Sequence, residues 1–413
     1  MFEKLPAALA GNPAISTHFD FADLTIGIVW GEEHLRLHLK KGAARIERGT
    51  GPSAFTMEAS TEAWSRFAAE RPPVGYQTLS GMMEIGALKA SGEGFLEFAR
   101  YMLPIEQLFR ALRPVPATEA KPWAEPSFEE ATGRYLRVNV YGRPQRIYVE
   151  EAGQGIPLLC LHTAGSDGRQ YRALFSDPEI TSRFRVIAFD LPSHGKSSPD
   201  PGFQDRQHAL TTDSYVETIM AVKRAMKLER PVAMGCSIGG RAVLHLALRH
   251  GDEFRACIGL QSAMYAESHA LAGLLAERIL FRPDICTQET SAAAVWALMG
   301  PNTPQKEQWE TLWYYMQGGP GIFAGDLVYY FADGDLRNGL LDPLDPDRCP
   351  LYLLTGEYDL SATPAMTAEL AKAIKARHFE VIPGVGHFPM SEDPETFRRH
   401  LLPVLARIEK ETA

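Results

Sequence analysis

A serine with glycines two residues to either side lies where an apolar run gives way to a helical pattern, in Val232-Ala233-Met234-Gly235-Cys236-Ser237-Ile238-Gly239-Gly240. There the serine occupies a tight turn that lifts its hydroxyl off the end of a sheet, and the glycines keep Cβ atoms out of the strand-to-helix crossing. Ser237 is therefore the candidate nucleophile. A serine hydroxyl is weak near neutral pH and needs a base within hydrogen-bond reach, with a third group to fix the base's tautomer. Among the twelve histidines, His387 in Val381-Ile382-Pro383-Gly384-Val385-Gly386-His387-Phe388 follows a strand-like run, with glycines that let its loop fold over the sheet edge; His378 and His400 read as surface residues. The orienting acid is Asp359 in Leu353-Leu354-Thr355-Gly356-Glu357-Tyr358-Asp359. Glu357 competes for the role, but a residue beyond the strand end has more room to approach a histidine on the next loop. Negative charge developing on an attacked carbonyl needs two preorganised amide donors. Ile238 would supply one, and the loop Leu161-His162-Thr163-Ala164-Gly165-Ser166 the other, from Ala164 or alternatively Thr163.

These residues need a sheet to hold them. Arg137 to Val140 and Arg146 to Glu150 suggest a hairpin around Gly142-Arg143-Pro144. Four nearly continuous apolar runs follow, Ile156 to Leu161, Arg185 to Phe189, Pro231 to Met234 and Ala256 to Leu260, with Leu351 to Leu354 and Phe379 to Ile382 after a long interruption. Such runs fill a mostly parallel sheet covered on both faces, and the helical patterns of Asp213 to Met226 and Gly239 to Arg249 make the assignment doubly wound α/β.

At 413 residues the chain is too long for one ordinary core and predicts two domains. Four prolines between Arg113 and Arg134 mark a linker, giving an N-terminal domain over 1–115, a linker over 116–134 and a second domain over 135–413. The first part has strand-like alternation at Leu24 to Trp30, Leu35 to Leu39 and Ala43 to Arg48, then helical patterns from Ala59 to Ala69, capped by Ser60, and from Gly94 to Leu112. It is an α+β module.

A formal net charge of -9 leaves no basic surface for nucleic acid. No apolar run approaches the ~20 residues of a membrane span, and the N-terminus lacks a secretory pattern, so a cytoplasmic enzyme without stable membrane insertion is the expectation. The five cysteines, odd in number and widely spaced, read as reduced thiols. Asp333, Asp335, Asp342, Asp345 and Asp347 lack the spacing of a calcium loop and read as solvated acids, and Gly195-Lys196-Ser197 lacks the earlier glycine of a phosphate loop. No metal or cofactor is expected, and a homo-oligomer is compatible with everything in the sequence.

Residues from about 135 to 410 resemble the α/β-hydrolase superfamily. The resemblance rests on the Gly-x-Ser-x-Gly turn, the chain order Ser237, Asp359, His387, the His162 that opens the oxyanion loop, and Asp190-Leu191-Pro192-Ser193-His194-Gly195-Lys196-Ser197 after a strand. That family commonly has His-Gly where this chain has His162-Thr163, so Ala164 and Thr163 both stand as the second donor. The resemblance implies that the stretch from about 263 to 348 is a helical cap that sets substrate choice. It carries Trp296, Met299, Trp313, Tyr314, Tyr315, Met316, Phe323, Tyr329, Tyr330 and Phe331, suited to an apolar pocket although packing is the commoner role for any one of them. Gly318-Gly319-Pro320-Gly321 could serve as its hinge. The implied activity is hydrolysis of a carboxylic ester of a hydrophobic small molecule. A thioesterase, a lactonase and a carbon–carbon bond hydrolase are rivals on the same residues, with a peroxidase-like side activity compatible. Serine at the elbow argues against the family's aspartate-nucleophile branch. Residues from about 15 to 113 resemble the lipid-binding sterol-carrier-protein fold, which implies a cavity for an acyl chain; a docking or oligomerisation domain with a filled core is the other reading. A lipid carrier with a vestigial hydrolase part is the rival from another class.

Overall fold

The computed structural model describes residues 1–91, 94–114, 127–267 and 278–411. The chain divides into two compact units, Met1–Ala120 with Ser268–Pro301, and Lys121–Glu267 with Asn302–Ala413. The stretch expected to form one cap is thus shared between them. Most of the expected linker, 116–126, lies outside the described residues, and Thr132 to Arg134 already belong to a strand.

The first unit is built on five strands, β1 (Asp23–Trp30), β2 (Glu33–Lys40), β3 (Ala43–Arg48), β4 (Phe55–Ala59) and β5 (Lys89–Ser91), in the order β3-β2-β1-β4-β5. Antiparallel β1, β2 and β3 are joined by two-residue turns, the second at Lys41-Gly42 with both φ positive, and β4 crosses over to run parallel with β1. The sequence pattern missed β4 and β5. The helix Thr61–Phe67 begins as expected, with Ser60 Oγ accepting from Ala63 N at 3.1 Å. The pattern read as one helix from Gly94 to Leu112 is two, Phe95–Arg100 and Met102–Arg110. The interior is packed with aromatic rings: Phe2 stands edge-on to Trp64 at 5.0 Å, and Trp64 edge-on to Phe67 at 5.9 Å. Helix Thr287–Trp296 belongs here because Thr290 to Trp296 are all buried and need a second apolar surface; Thr290 Oγ1 donates to Ala99 O at 3.2 Å and Gln77 Nε2 to Ala297 O at 3.0 Å.

The second unit holds eight strands, β6 (Thr132–Val140), β7 (Arg143–Ala152), β8 (Ile156–Leu161), β9 (Phe184–Phe189), β10 (Val232–Cys236), β11 (Ala256–Leu260), β12 (Leu351–Gly356) and β13 (His378–Ile382). Their order is β13-β12-β11-β10-β8-β9-β7-β6, parallel from β9 to β13 and antiparallel at β7 and β6. The β6–β7 turn is Tyr141-Gly142, with φ 49° and 77°, one position earlier than the sequence suggested; Arg143 and Pro144 are already paired in β7. β8, β10, β11 and β12 are almost wholly buried, as their apolar runs require. Chain order reverses at β8, between β9 and β10, and open α/β sheets bind ligands beyond the carboxyl ends of their strands at such a point.

Candidate active site

Ser237 follows β10 and precedes the helix Ile238–His250, with φ 60° and ψ -114°. A non-glycine residue at positive φ in that region is strained, and the surroundings hold it there: Ser237 N donates to Leu260 O at 3.1 Å and Ser237 O accepts from Arg241 N at 2.8 Å. The flanking glycines are sterically required. A Cβ on Gly235 would lie 2.4 Å from the Gly239 backbone, and one on Gly239 would lie 2.5 Å from Leu161 O.

Asp359 and His387 stand just past β12 and β13 and meet there. His387 Nδ1 lies 2.8 Å from Asp359 Oδ2, and both side chains are buried. Asp359 Oδ1 accepts from Ser361 N at 2.8 Å and Ala362 N at 3.1 Å, so the carboxylate is fixed by its own turn and oriented toward the imidazole. Glu357 instead accepts from Gly384 N at 2.8 Å, bracing the loop. The histidine loop is tied to the nucleophile's strand, because the Cys236 thiol donates to His387 O at 3.1 Å and Gln261 Nε2 to Gly386 O at 3.0 Å. Glu392, which sequence reasoning missed, braces it from the other side: Oε1 accepts from Gly386 N at 2.6 Å and Phe388 N at 3.1 Å, on either flank of His387. Its signal was faint, a single glutamate five positions after the histidine.

The loop after β8 is equally constrained. His162 Nε2 accepts from Leu191 N at 3.0 Å, which puts its proton on Nδ1 for donation to Thr163 O at 2.8 Å. Burial, with His194 nearby, pushes the His162 pKa down to about 4, so the ring is neutral. Thr163 N donates to Gln170 Oε1 at 3.0 Å, and Gly165 N to Asp326 Oδ2 at 2.8 Å. Between these two occupied amides, Ala164 N has no acceptor among the described residues, and the same holds for Ile238 N at the start of its helix.

Aromatic residues of the 302–348 stretch crowd this end of the sheet. The Tyr315 hydroxyl hydrogen-bonds Thr163 Oγ1, and its ring packs edge-on to Phe323 at 5.8 Å and Phe388 at 5.6 Å. The Tyr330 hydroxyl accepts from Ser361 Oγ at 3.2 Å and lies close enough to Ser237 to interact with it; burial raises its pKa to about 12, which keeps the phenol protonated. Other residues of the expected pocket are elsewhere: Trp313 is exposed, Tyr329 packs on Tyr215, and Trp296 and Met299 belong to the first unit. Of the acids read as solvated, Asp333, Asp342, Asp345 and Asp347 are exposed and Asp335 is half-buried. The Asp333 carboxylate accepts from Thr212 N at the start of the Thr212–Ala225 helix, and Asp335 forms a paired contact with Arg337. No cluster of residues suited to a metal ion occurs among the described residues.

A strand-turn-helix serine beside a buried aspartate–histidine pair, on this strand order, defines a class, and the comparisons agree with it. Residues 158–400 match the model of the alpha/beta hydrolase family, which is more than half of the chain, and the protein belongs to that family. A 2-(acetamidomethylene)succinate hydrolase of Mesorhizobium japonicum is 23% identical over 251 residues, covering 60% of this chain and 87% of the relative. A pimeloyl-[acyl-carrier protein] methyl ester esterase of Vibrio vulnificus is 24% identical over 267 residues, covering 62% and 96%. Among solved structures, a thermophilic esterase from Thermogutta terrifontis superposes with a TM-score of 0.57 at 20% identity, covering 67% of this chain and 99% of the other; at that identity it speaks for the fold.

Proposed function

We propose that this protein is a serine hydrolase that cleaves a carboxylic ester of a hydrophobic small molecule through an acyl-enzyme. Ser237 Oγ attacks the carbonyl carbon while His387 Nε2 takes its proton; Asp359 holds the tautomer and stabilises the imidazolium. The amides of Ala164 and Ile238 receive the oxyanion. His387 then protonates the departing alcohol, and a water activated by the same histidine releases the acid and restores Ser237.

The observation that carries this reading is the 2.8 Å contact of Asp359 with His387 beside a serine held at φ 60°. Gln170 supports Ala164 over Thr163 as the second donor, since it already occupies the Thr163 amide. The rings of Tyr315, Phe323 and Phe388 support an apolar acyl group, and the names of the relatives, a hydrolase and an ester esterase, support ester or related substrates. For the first unit, the filled aromatic interior favours a docking or assembly role over an acyl-chain cavity.

The test is hydrolysis of p-nitrophenyl esters from acetate to long acyl chains. Wild type should show a chain-length optimum, and Ser237→Ala and His387→Ala should each lose about a thousandfold or more in kcat. A fluorophosphonate should label wild type and leave Ser237→Ala unlabelled. Variants as active as wild type would overturn the assignment, and a protein that never labels would point to the carrier alternative.

A further inference from the structure

Asp326 lies in the short helix Ile322–Val328, and its carboxylate has no exposed surface. Three donors converge on it from separate parts of the fold. Gly165 N reaches Oδ2 at 2.8 Å from the loop after β8, His194 Nε2 reaches Oδ2 at 2.8 Å from the loop after β9, and His208 Nε2 reaches Oδ1 at 2.9 Å from the connection that follows. His194 Nδ1 also faces an acceptor, Pro192 O at 3.0 Å, so the ring donates at both nitrogens and is an imidazolium. Burial works against its charge, yet the Asp326 carboxylate raises the His194 pKa above its ordinary value. Burial likewise opposes ionisation of Asp326, and the two facing histidines hold it well below the usual carboxylate range.

A buried charge cluster of this kind is a poor source of stability, because well-packed apolar residues of similar volume do as well or better. Nor does an amide donor require a charged acceptor, since the neutral side chain of Gln170 serves the Thr163 amide two residues earlier. What Asp326 provides is position. Gly165, at φ 67°, is pressed against the same helix so closely that a Cβ there would lie 2.8 Å from Phe323. With His162 and Gln170 fixing Thr163 on one side and Asp326 fixing Gly165 on the other, the orientation of the peptide between them, whose N–H belongs to Ala164, is determined.

We infer that Asp326 is a positioning residue for the oxyanion site: from the helix Ile322–Val328 it holds the Gly165 amide, and thereby aims the Ala164 N–H at the carbonyl attacked by Ser237. The inference rests on the hydrolase reading. A helix of the stretch that would set substrate choice thereby also sets the geometry of charge stabilisation.

The test uses the full chain and the p-nitrophenyl ester that wild type turns over best. Asp326→Asn has one acceptor oxygen to offer three donors. Asp326→Glu keeps the charge against both histidines but moves the oxygens by one methylene, and it serves if the asparagine variant does not fold. Each should lose about ten- to a hundredfold in kcat with KM within about threefold, since the interaction strengthens only as the oxyanion forms. Labelling of Ser237 by a fluorophosphonate, whose phosphoryl oxygen needs the same donors, should slow in proportion. A folded variant with lowered melting temperature but wild-type kcat and labelling rate overturns the positioning role and leaves the hydrolase reading standing. A wild type that neither turns over esters nor labels at Ser237 overturns both.

Discussion

Glu392 shows how much of this site depends on residues that never meet a substrate. Its buried carboxylate accepts from Gly386 N and Phe388 N, and Thr303 Oγ1 donates to the other oxygen at 3.1 Å. Removing it strands three buried donors, at about 1–3 kcal/mol for each one left without water. Glu392→Ala is expected to lower the unfolding free energy by at least about 2 kcal/mol and kcat by about tenfold, as the loop carrying His387 loses its brace. Urea denaturation and ester turnover measure both, and unchanged kcat in folded protein would show that Gln261 and Cys236 suffice to hold the loop. Ser237, Asp359 and His387 could be read from the sequence because each sits in a short local pattern at a strand end. Asp326, Gln170 and Glu392 could not. Asp326 meets Gly165 across 161 positions of chain, and no periodicity encodes such a meeting. The available clue was a lone acid inside the apolar run Ile322-Phe323-Ala324-Gly325-Asp326-Leu327-Val328, which calls for a buried partner.

Among the elements, the contact of the helix Ile238–His250 with its neighbouring strands tolerates little change. A Cβ on Gly239 would meet Leu161 O at 2.5 Å and Leu161 Cβ at 2.9 Å, and the oxygen cannot move without dragging β8. Gly239→Ala should therefore cost about 1–3 kcal/mol by overpacking. It should also lower kcat, since the helix that carries the Ile238 amide must back away from the strand that leads to Ala164. A thermal melt beside ester kinetics tests this, and a variant matching wild type in both would mean that the strand and helix have slack the contacts do not show. The parallel strands were legible because burial on both faces gives unbroken apolar runs, and their observed ends fall within two residues of the expected ones. The segments after β11 were not. Helix Thr287–Trp296 buries seven consecutive residues, so it offers no amphipathic stripe, and the family resemblance that made 263–348 one cap placed it with the wrong neighbours.

For the whole molecule, buried histidines shape the dependence of stability on pH. Burial holds His245 and His162 at about 4, below the ordinary value of 6.5, so both are neutral in the folded state. An unfolded chain takes up these protons as soon as pH drops below about 6.5, so their contribution is complete above that value and is lost between about 6.5 and 4. His194 has the opposite sign: its pKa is raised in the fold, so its contribution is present below 6.5 and is lost as pH rises through the raised value. Stability should peak near neutrality. His245→Gln keeps a donor for Gly334 O without a titrating ring, and should flatten the acid limb by roughly 1–3 kcal/mol between about pH 7 and 4.5. Urea midpoints across that range provide the measurement, and an acid limb as steep as wild type would place the lost stability on the carboxylates.

The division of the chain has a consequence for the order in which the protein can be made. The first unit includes Ser268–Pro301, so a growing chain that has released its first five strands still lacks the helix Thr287–Trp296. By the time that helix emerges, β6 to β11 have already been synthesised. Domains usually complete themselves in the order of synthesis. Here the domain begun first cannot be finished until most of the second sheet has been synthesised.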